Sequence, residues 1–393
     1  MRKTTTKAFG IRLPIMQRKD DLISTVTASL LEAVKEEQLV LNDKDIVGIT
    51  EALVARTESN YASIEDISTD VRSKFDSETL GIIFPIQSRN RFSVLLEGLA
   101  AGADKIVLQL SYPTDEVGNR LVSNELILEK GVNPYSDVLT EAEFRETFGY
   151  DTKHLFTGLD YIEFYKSLSD NIEIIFSNDP KAILKYTDQV VVASIHTREA
   201  DRKILVNAGA KKVLTLAEIL NEKNDKHGYN ERFGLLGSNK ATDTEVKLFP
   251  RSSEEVVAKL SKDLKALTGK NIEVLVYGDG AFKDPVGGIW ELADPVSAVA
   301  FTDGLKGTPN EMKIKYIADN QFKDIRGQEL TDKIIKTLED TDMDTANKEL
   351  SEGTTPRQIS DLVASLCDLT SGSGDKGTPV VLVQGYFDNY SSK

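Results

Sequence analysis

Ile172-Glu173-Ile174-Ile175-Phe176, Gln189-Val190-Val191-Val192-Ala193 and Lys212-Val213-Leu214-Thr215-Leu216 are short apolar runs, separated by helical patterns at Ala182–Tyr186 and Ala200–Asn207. Runs of this length, rich in β-branched residues, read as strands. Two more lie upstream, Leu80–Phe84 and Lys105–Leu110. Strands alternating with helices predict a parallel sheet covered by helices on its faces. Gly209, in Asn207-Ala208-Gly209-Ala210, supplies the stop between one such helix and the strand after it. Residues 76–229 are therefore expected to form an α/β domain.

The texture changes on either side. From about residue 8 to 75, an amphipathic stretch runs from Asp21 to Glu37, with Leu22, Val26, Leu30 and Val34 at helical spacing. Asn42-Asp43 then turns the chain into a strand, Asp45–Ile49, which ends at the polar pair Thr50-Glu51. Between 230 and 393, Gly, Asp and Pro are densest. Ser252-Ser253-Glu254-Glu255 has the pattern of a capping box, with Ser252 as N-cap. The helix it opens carries Val256, Val257, Leu260, Leu264 and Leu267 on its apolar face, and Gly269 ends it. A strand, Ile272–Val276, follows and leads at once into Tyr277-Gly278-Asp279-Gly280. A helical pattern over Pro356–Leu369 passes through Ser371–Thr378 into the strand Val380–Gln384.

Composition narrows the function. The chain has 393 residues and a formal net charge of −15, from 63 acidic and 48 basic side chains. That length suggests about two to three domains. Nucleic acid and anionic membrane surfaces are both bound by basic patches, so neither is an expected partner. A single cysteine, Cys367, cannot form an internal disulfide or a thiolate zinc site. No apolar run approaches the roughly 20 residues that cross a bilayer. Lys7 and Arg12 interrupt any signal-peptide core, so the chain reads as cytoplasmic.

The chemistry-bearing patterns are few. No G-x-x-x-x-G-K-[ST] is present. Gly372-Ser373-Gly374-Asp375-Lys376-Gly377 matches G-x-G-x-x-G formally, but it follows a helix and precedes a strand, the reverse of the dinucleotide fingerprint. It reads instead as a glycine loop closing on a substrate, or as a surface turn. His154, His196 and His227 are widely spread. His196, just past an apolar strand, is either a general base or a capped strand-end residue.

The acidic cluster is denser: Asp279, Asp284, Glu291, Asp294, Asp303 and Glu311 stand among Gly278, Gly280, Gly287, Gly288, Gly304 and Gly307. Hard divalent cations prefer carboxylate oxygens, and magnesium bridges one or two of them to substrate phosphates. Asp279 is the leading candidate, because a strand end between two glycines exposes it to a ligand. Asp284-Pro285 and Asp294-Pro295 also read as turn formers. Two basic pairs, Lys240 with Arg251 near Ser238-Asn239, and Arg89 with Arg91, are candidate sites for phosphate or carboxylate, or simply solvated surface.

These segments carry a resemblance. Asp45–Glu58, Gly234-Leu235-Leu236-Gly237-Ser238-Asn239 with Val246–Pro250, Leu267-Thr268-Gly269-Lys270 leading to Asp279, Phe282-Lys283 with Val286-Gly287, Ala318-Asp319 and Gly374–Gly385 are similar, in this order, to segments of the γ-glutamyl ligases of coenzyme F-420 biosynthesis. The resemblance covers about 8–60 and 230–393. It implies an α+β family core formed from both chain ends, 1–75 and 230–393, with 76–229 as an inserted α/β domain. It also implies magnesium or manganese, and GTP (or ATP) as co-substrate, activating a carboxylate as an acyl phosphate that L-glutamate attacks. Carried onto this chain, Asp279 is the catalytic metal ligand, and Ser238, Asn239 and Lys240 lie by the nucleotide. Asp319, Gly374 and Gly377 then lie by the substrate. Where the family has an acid in G-I-D-x-S-N this chain has Leu236, so Asp160 or Asp284 is the expected further metal ligand. A homodimer acting on a small-molecule acceptor is implied as well. The alternative from another class is a noncatalytic nucleotide- or small-molecule-binding protein on the same scaffold.

Overall fold

The computed structural model describes residues 3–154, 157–278, 297–309, 312–340, 358–372 and 374–392. Two compact units are present: Met1–Val54 with Ser252–Lys393, and Ala55–Arg251. The stretches 55–75 and 230–251 thus belong to the same unit as the α/β run between them. Along the chain the strands are β1 (Lys7–Ile11), β2 (Ile46–Thr50), β3 (Tyr61–Ser63), β4 (Thr79–Ile83), β5 (Lys105–Leu110), β6 (Leu139–Thr140), β7 (Ile172–Phe176), β8 (Gln189–Val192), β9 (Lys212–Thr215), β10 (Asn239–Lys240), β11 (Glu245–Lys247), β12 (Glu273–Gly278), β13 (Ser297–Phe301) and β14 (Val380–Gln384). Mixed sheets and helices make the fold α+β in character.

The first unit is a sheet ordered β1-β14-β2-β12-β13, with β2 and β12 parallel and the other neighbours antiparallel. β2 is buried on both faces, and successive side chains point to opposite sides of the sheet. Val47 and Ile49 join Val274, Val276, Val380 and Leu382 against the helices Leu22–Glu36 and Ser253–Thr268. Ile46, Leu275, Tyr277, Val381 and Val383 face the helix Ile359–Ser371 through Val363, Ala364 and Cys367. Local chemistry starts these helices: the Asp21 carboxylate accepts the Ser24 N–H at 3.1 Å, while Gly269, at φ 71°, ends the helix that Ser253 begins. Ser252 occupies the N-cap position there, but its side chain makes no capping bond, contrary to the expected box.

The two-sided burial explains Gly48. A Cβ at this position would lie 2.5 Å from the Cys367 Sγ. Gly48→Ala is accordingly expected to cost about 1–3 kcal/mol through overpacking. Urea unfolding of Gly48→Ala, Cys367→Ala and the double variant checks it. The loss should be recovered in part when both are changed, and additive losses would contradict the contact.

The second unit holds a sheet ordered β6-β7-β5-β4-β8-β9, parallel except for the edge strand β6, and a small antiparallel sheet β10-β11-β3. The expected strands match within a residue at each end. Ala182–Tyr186 differs, belonging to a 3-10 turn, Pro180–Lys185, that Asp179 caps, Pro180 opens and Tyr186 ends. Chain order runs outward from β4 to β5 and β7 on one side, then returns to β8 and β9 on the other. The order therefore switches between β4 and β8. No helix among the described residues is long and apolar enough to cross a membrane.

Candidate functional site

In the first unit, several chain segments arrive at one rim of the sheet. β2 and β12 run parallel with Tyr277 beside Thr50, so both strands end there. Glu51 follows β2 and is only 4% exposed. It packs so closely on Gly278 that a Cβ on Gly278 would lie 2.2 Å from the Glu51 Cγ. A register shift between Val276 and Tyr277 interrupts the pairing of β12 with β13 just before this end. Bulges often re-aim a strand beside a site. β14 starts here because it runs antiparallel to β2, and the Pro379 carbonyl accepts the Thr50 N–H at 3.0 Å. Leu13 N–H donates to the Gly377 carbonyl at 3.2 Å, and the Arg12 Nε to the Lys376 carbonyl at 3.3 Å.

The predicted site residues fall unevenly on this frame. Gly374 opens a 3-10 turn, Gly374–Lys376, and Gly377 follows it at φ 63°, where only glycine sits without strain. The glycine loop does lie between a helix and a strand, the arrangement that argues against a dinucleotide fingerprint. Asp319 is exposed on the helix Ile314–Asn320. Asp279, next in sequence to Gly278, and Asp284 lie outside the described residues, as do Glu291, Asp294 and Glu311. Among the described residues, no three His, Cys, Asp or Glu side chains gather to hold a cation. The described residues therefore supply no metal-ligating set of their own.

The second unit holds the remaining candidates. Leu236 is 1% exposed, and its neighbour Gly237, at φ 75°, meets the Phe249 ring where a Cβ would stand. The Gly234–Asn239 segment is thus built around apolar packing. Within it the Ser238 hydroxyl is buried without a hydrogen-bond partner among the described residues. Asn239 and Lys240 form β10, and the Lys240 side chain meets Asp243 at 2.8 Å. Arg89-Asn90-Arg91, which the sequence offered as a separate basic pair, lies against this strand: the Lys240 N–H donates to the Asn90 carbonyl at 2.8 Å, and the Asn90 amide to Asn239 Oδ1 at 3.4 Å.

Asp160 has a different setting. Its Oδ1 accepts the Ile162 and Glu163 N–H groups, capping the helix Tyr161–Lys166, and its Oδ2 takes Thr152 at 2.8 Å and Arg145 at 3.0 Å. Burial pushes its carboxyl upward, but Arg145, Thr152 and the capped N–H groups outweigh that, leaving it below the usual aspartate range. His196 sits past β8, where the Glu116 carboxylate accepts both the Ile195 and His196 N–H groups; burial raises that carboxyl.

The sequence matches the family model of F420-0:γ-glutamyl ligase over residues 10–385. The chain belongs to this ligase family. Membership makes the protein an enzyme of the ligase class, and the match runs through 76–229, the stretch set apart by sequence texture. No curated protein matches this ligase. Two residues that the motifs undervalued gain weight from the fold. Glu51 was visible as half of a polar pair after a strand, and Arg89 with Arg91 as a basic pair read either as a phosphate or carboxylate site or as solvated surface; nothing local announces that their neighbours are Gly278 and β10.

Proposed function

We propose that this chain is a metal- and nucleotide-dependent amide ligase that adds L-glutamate, in γ-glutamyl fashion, to a coenzyme F-420-like, folate-like or other carboxylate acceptor. The family match over residues 10–385 is the observation that carries the reading. In the proposed reaction an acceptor carboxylate oxygen attacks the γ-phosphorus of GTP or ATP. The bond to the β-phosphate oxygen breaks and the nucleoside diphosphate leaves. The glutamate amine then attacks the acyl carbon and loses a proton, and inorganic phosphate departs with the oxygen that came from the acceptor.

Asp279, with Asp284, is assigned to magnesium or manganese, which when bound would neutralise phosphate charge. Asp160 is the weaker choice for that role, since both of its oxygens already serve a helix cap and an ion pair. Glu51 is assigned to the same rim as a carboxylate that orients the incoming amine. Ser238, Asn239 and Lys240 are assigned to the nucleotide phosphates, and Asp319, Gly374 and Gly377 to the acceptor. We place the enzyme in the cytoplasm as a homodimer.

One observation favours a second reading. Leu236 is buried where the family carries an acid, which suits a protein that binds nucleotide without turning it over. Incubation with GTP or ATP, magnesium or manganese, L-glutamate and a panel of acceptors separates the two. The ligase reading expects phosphate release that depends on an acceptor. Nucleotide binding with no such release from any acceptor would establish the second reading.

A further inference from the structure

We infer that Arg89 and Arg91, from the loop after β4, complete a polyphosphate site with Ser238, Lys240 and the N-terminus of the helix Ser93–Ala101, all within the second unit. This rests on the nucleotide role proposed for Ser238–Lys240 and adds the residues that would hold the phosphates.

Four observations converge on the loop. First, it leaves the C-terminal end of β4, at the point where strand order reverses between β4 and β8. In open parallel sheets, ligands bind outside the carboxyl ends of strands at that switch point. Second, the helix Ser93–Ala101 opens there with no acid in its first turn and no side-chain cap at Phe92. Its N–H groups and dipole favour an anion. Third, the Asn90 hydrogen bonds to Asn239 and Lys240 bring two arginines and a lysine beside one short strand, in a protein whose net charge is strongly negative.

The fourth observation points to a ligand. The Ser238 hydroxyl, next to β10 in a residue 2% exposed, is buried without a hydrogen-bond partner among the described residues. So are both side-chain amide atoms of Gln87, two residues before Arg89; the Gln87 backbone N–H donates to the Asp115 carboxylate at 2.8 Å. Buried polar groups are nearly always paired, by protein, water or ligand. Neighbouring acids do not cancel the site: the Asp115 carboxylate is already committed to the Gln87, Val117 and Asn119 N–H groups. Asp243 pairs with Lys240 from an almost fully exposed position, where an anion readily displaces it. Glu97, four residues into the same helix, has its carboxyl raised by burial, which disfavours its charge.

The ligand class is a nucleoside triphosphate or an equivalent polyphosphate. Arginine suits it because its planar fork binds two phosphate oxygens at once. The test is calorimetric titration of the full-length protein, with magnesium, against GTP, ATP and inorganic triphosphate. The Arg89→Gln/Arg91→Gln variant is expected to bind each polyphosphate about 100-fold more weakly, from two charge-assisted contacts of about tenfold each. Arg89→Lys/Arg91→Lys should recover part of the loss, and circular dichroism confirms that both variants fold. Unchanged affinity in the glutamine variant overturns the inference. Arginine-dependent binding of inorganic triphosphate without binding of GTP or ATP upholds the phosphate site and removes the nucleotide reading. Binding of none of the three by the unaltered protein removes both.

Discussion

Asp279→Asn is expected to lower acceptor-dependent turnover by about a thousandfold while leaving the fold intact. The substitution keeps the size of the side chain and removes only its charge. Hard cations bind anionic oxygen far better than a neutral amide. Up to Gly278, β12 is held by β2 along Glu273–Tyr277 and by Glu51 packed on Gly278. Steady-state turnover at saturating manganese, with far-ultraviolet circular dichroism of the same sample, makes the measurement. Turnover within a few-fold of the unaltered protein would take Asp279 out of the chemistry. Unfolding would instead show that the residue is structural.

The second large effect concerns stability. Asp160→Ala is expected to destabilise the protein by about 3–5 kcal/mol, since it strands a buried arginine. Arg145 has only 5% of its side chain exposed and would keep Glu163, at 3.1 Å, Thr152 and the Tyr150 ring, 4.8 Å from its guanidinium carbon. The same change removes the N-cap of Tyr161–Lys166. The pH dependence has a defined sign. Because the folded-state carboxyl lies below the usual 3.8, the pair contributes stability above that value. That contribution is lost as the pH falls from about 4 through the lower folded-state value. The stability gap between the unaltered protein and Asp160→Asn should therefore be level near neutrality and close in acid. Denaturant titrations across that range report it, and a gap unaffected by acid would exclude the ion pair as its source.

How much of this was legible depended on how local the deciding interactions are. The strands of the parallel sheet were readable because each is dominated by apolar residues buried on both faces, as Val190–Val192 illustrates. Gly269 announced a helix end because the left-handed backbone it takes needs no partner elsewhere. Pairing was not readable. β14 inserts between β1 and β2 although it lies at the far end of the chain, and no local pattern encodes that order. The capping box at Ser252 failed for a related reason, while Ser63 with Asp66 and Thr140 with Glu143 do form such boxes. A four-residue motif permits a cap, but the approach angle of the preceding chain decides whether it forms.

The candidate site divides along the same line. Gly374–Gly377 and Ser238–Lys240 were proposed from motif order, which needs no knowledge of contacts. Glu51 beside Gly278, and Arg89 and Arg91 beside β10, are pairings of distant segments that only the fold discloses. Asp160 shows the converse: an isolated acid in sequence is as good a metal candidate as any, until its oxygens are seen to be committed to Arg145, Thr152 and a helix terminus.

The proposed ligase chemistry is tested most directly by following one oxygen atom. An acceptor labelled with heavy oxygen in its carboxylate is turned over with GTP or ATP and L-glutamate, and the released phosphate is weighed by mass spectrometry. Activation as an acyl phosphate predicts that each phosphate carries one labelled oxygen from the acceptor. Phosphate released without label would mean that the nucleotide is hydrolysed by water, and the account of this enzyme as a carboxylate-activating ligase would be contradicted.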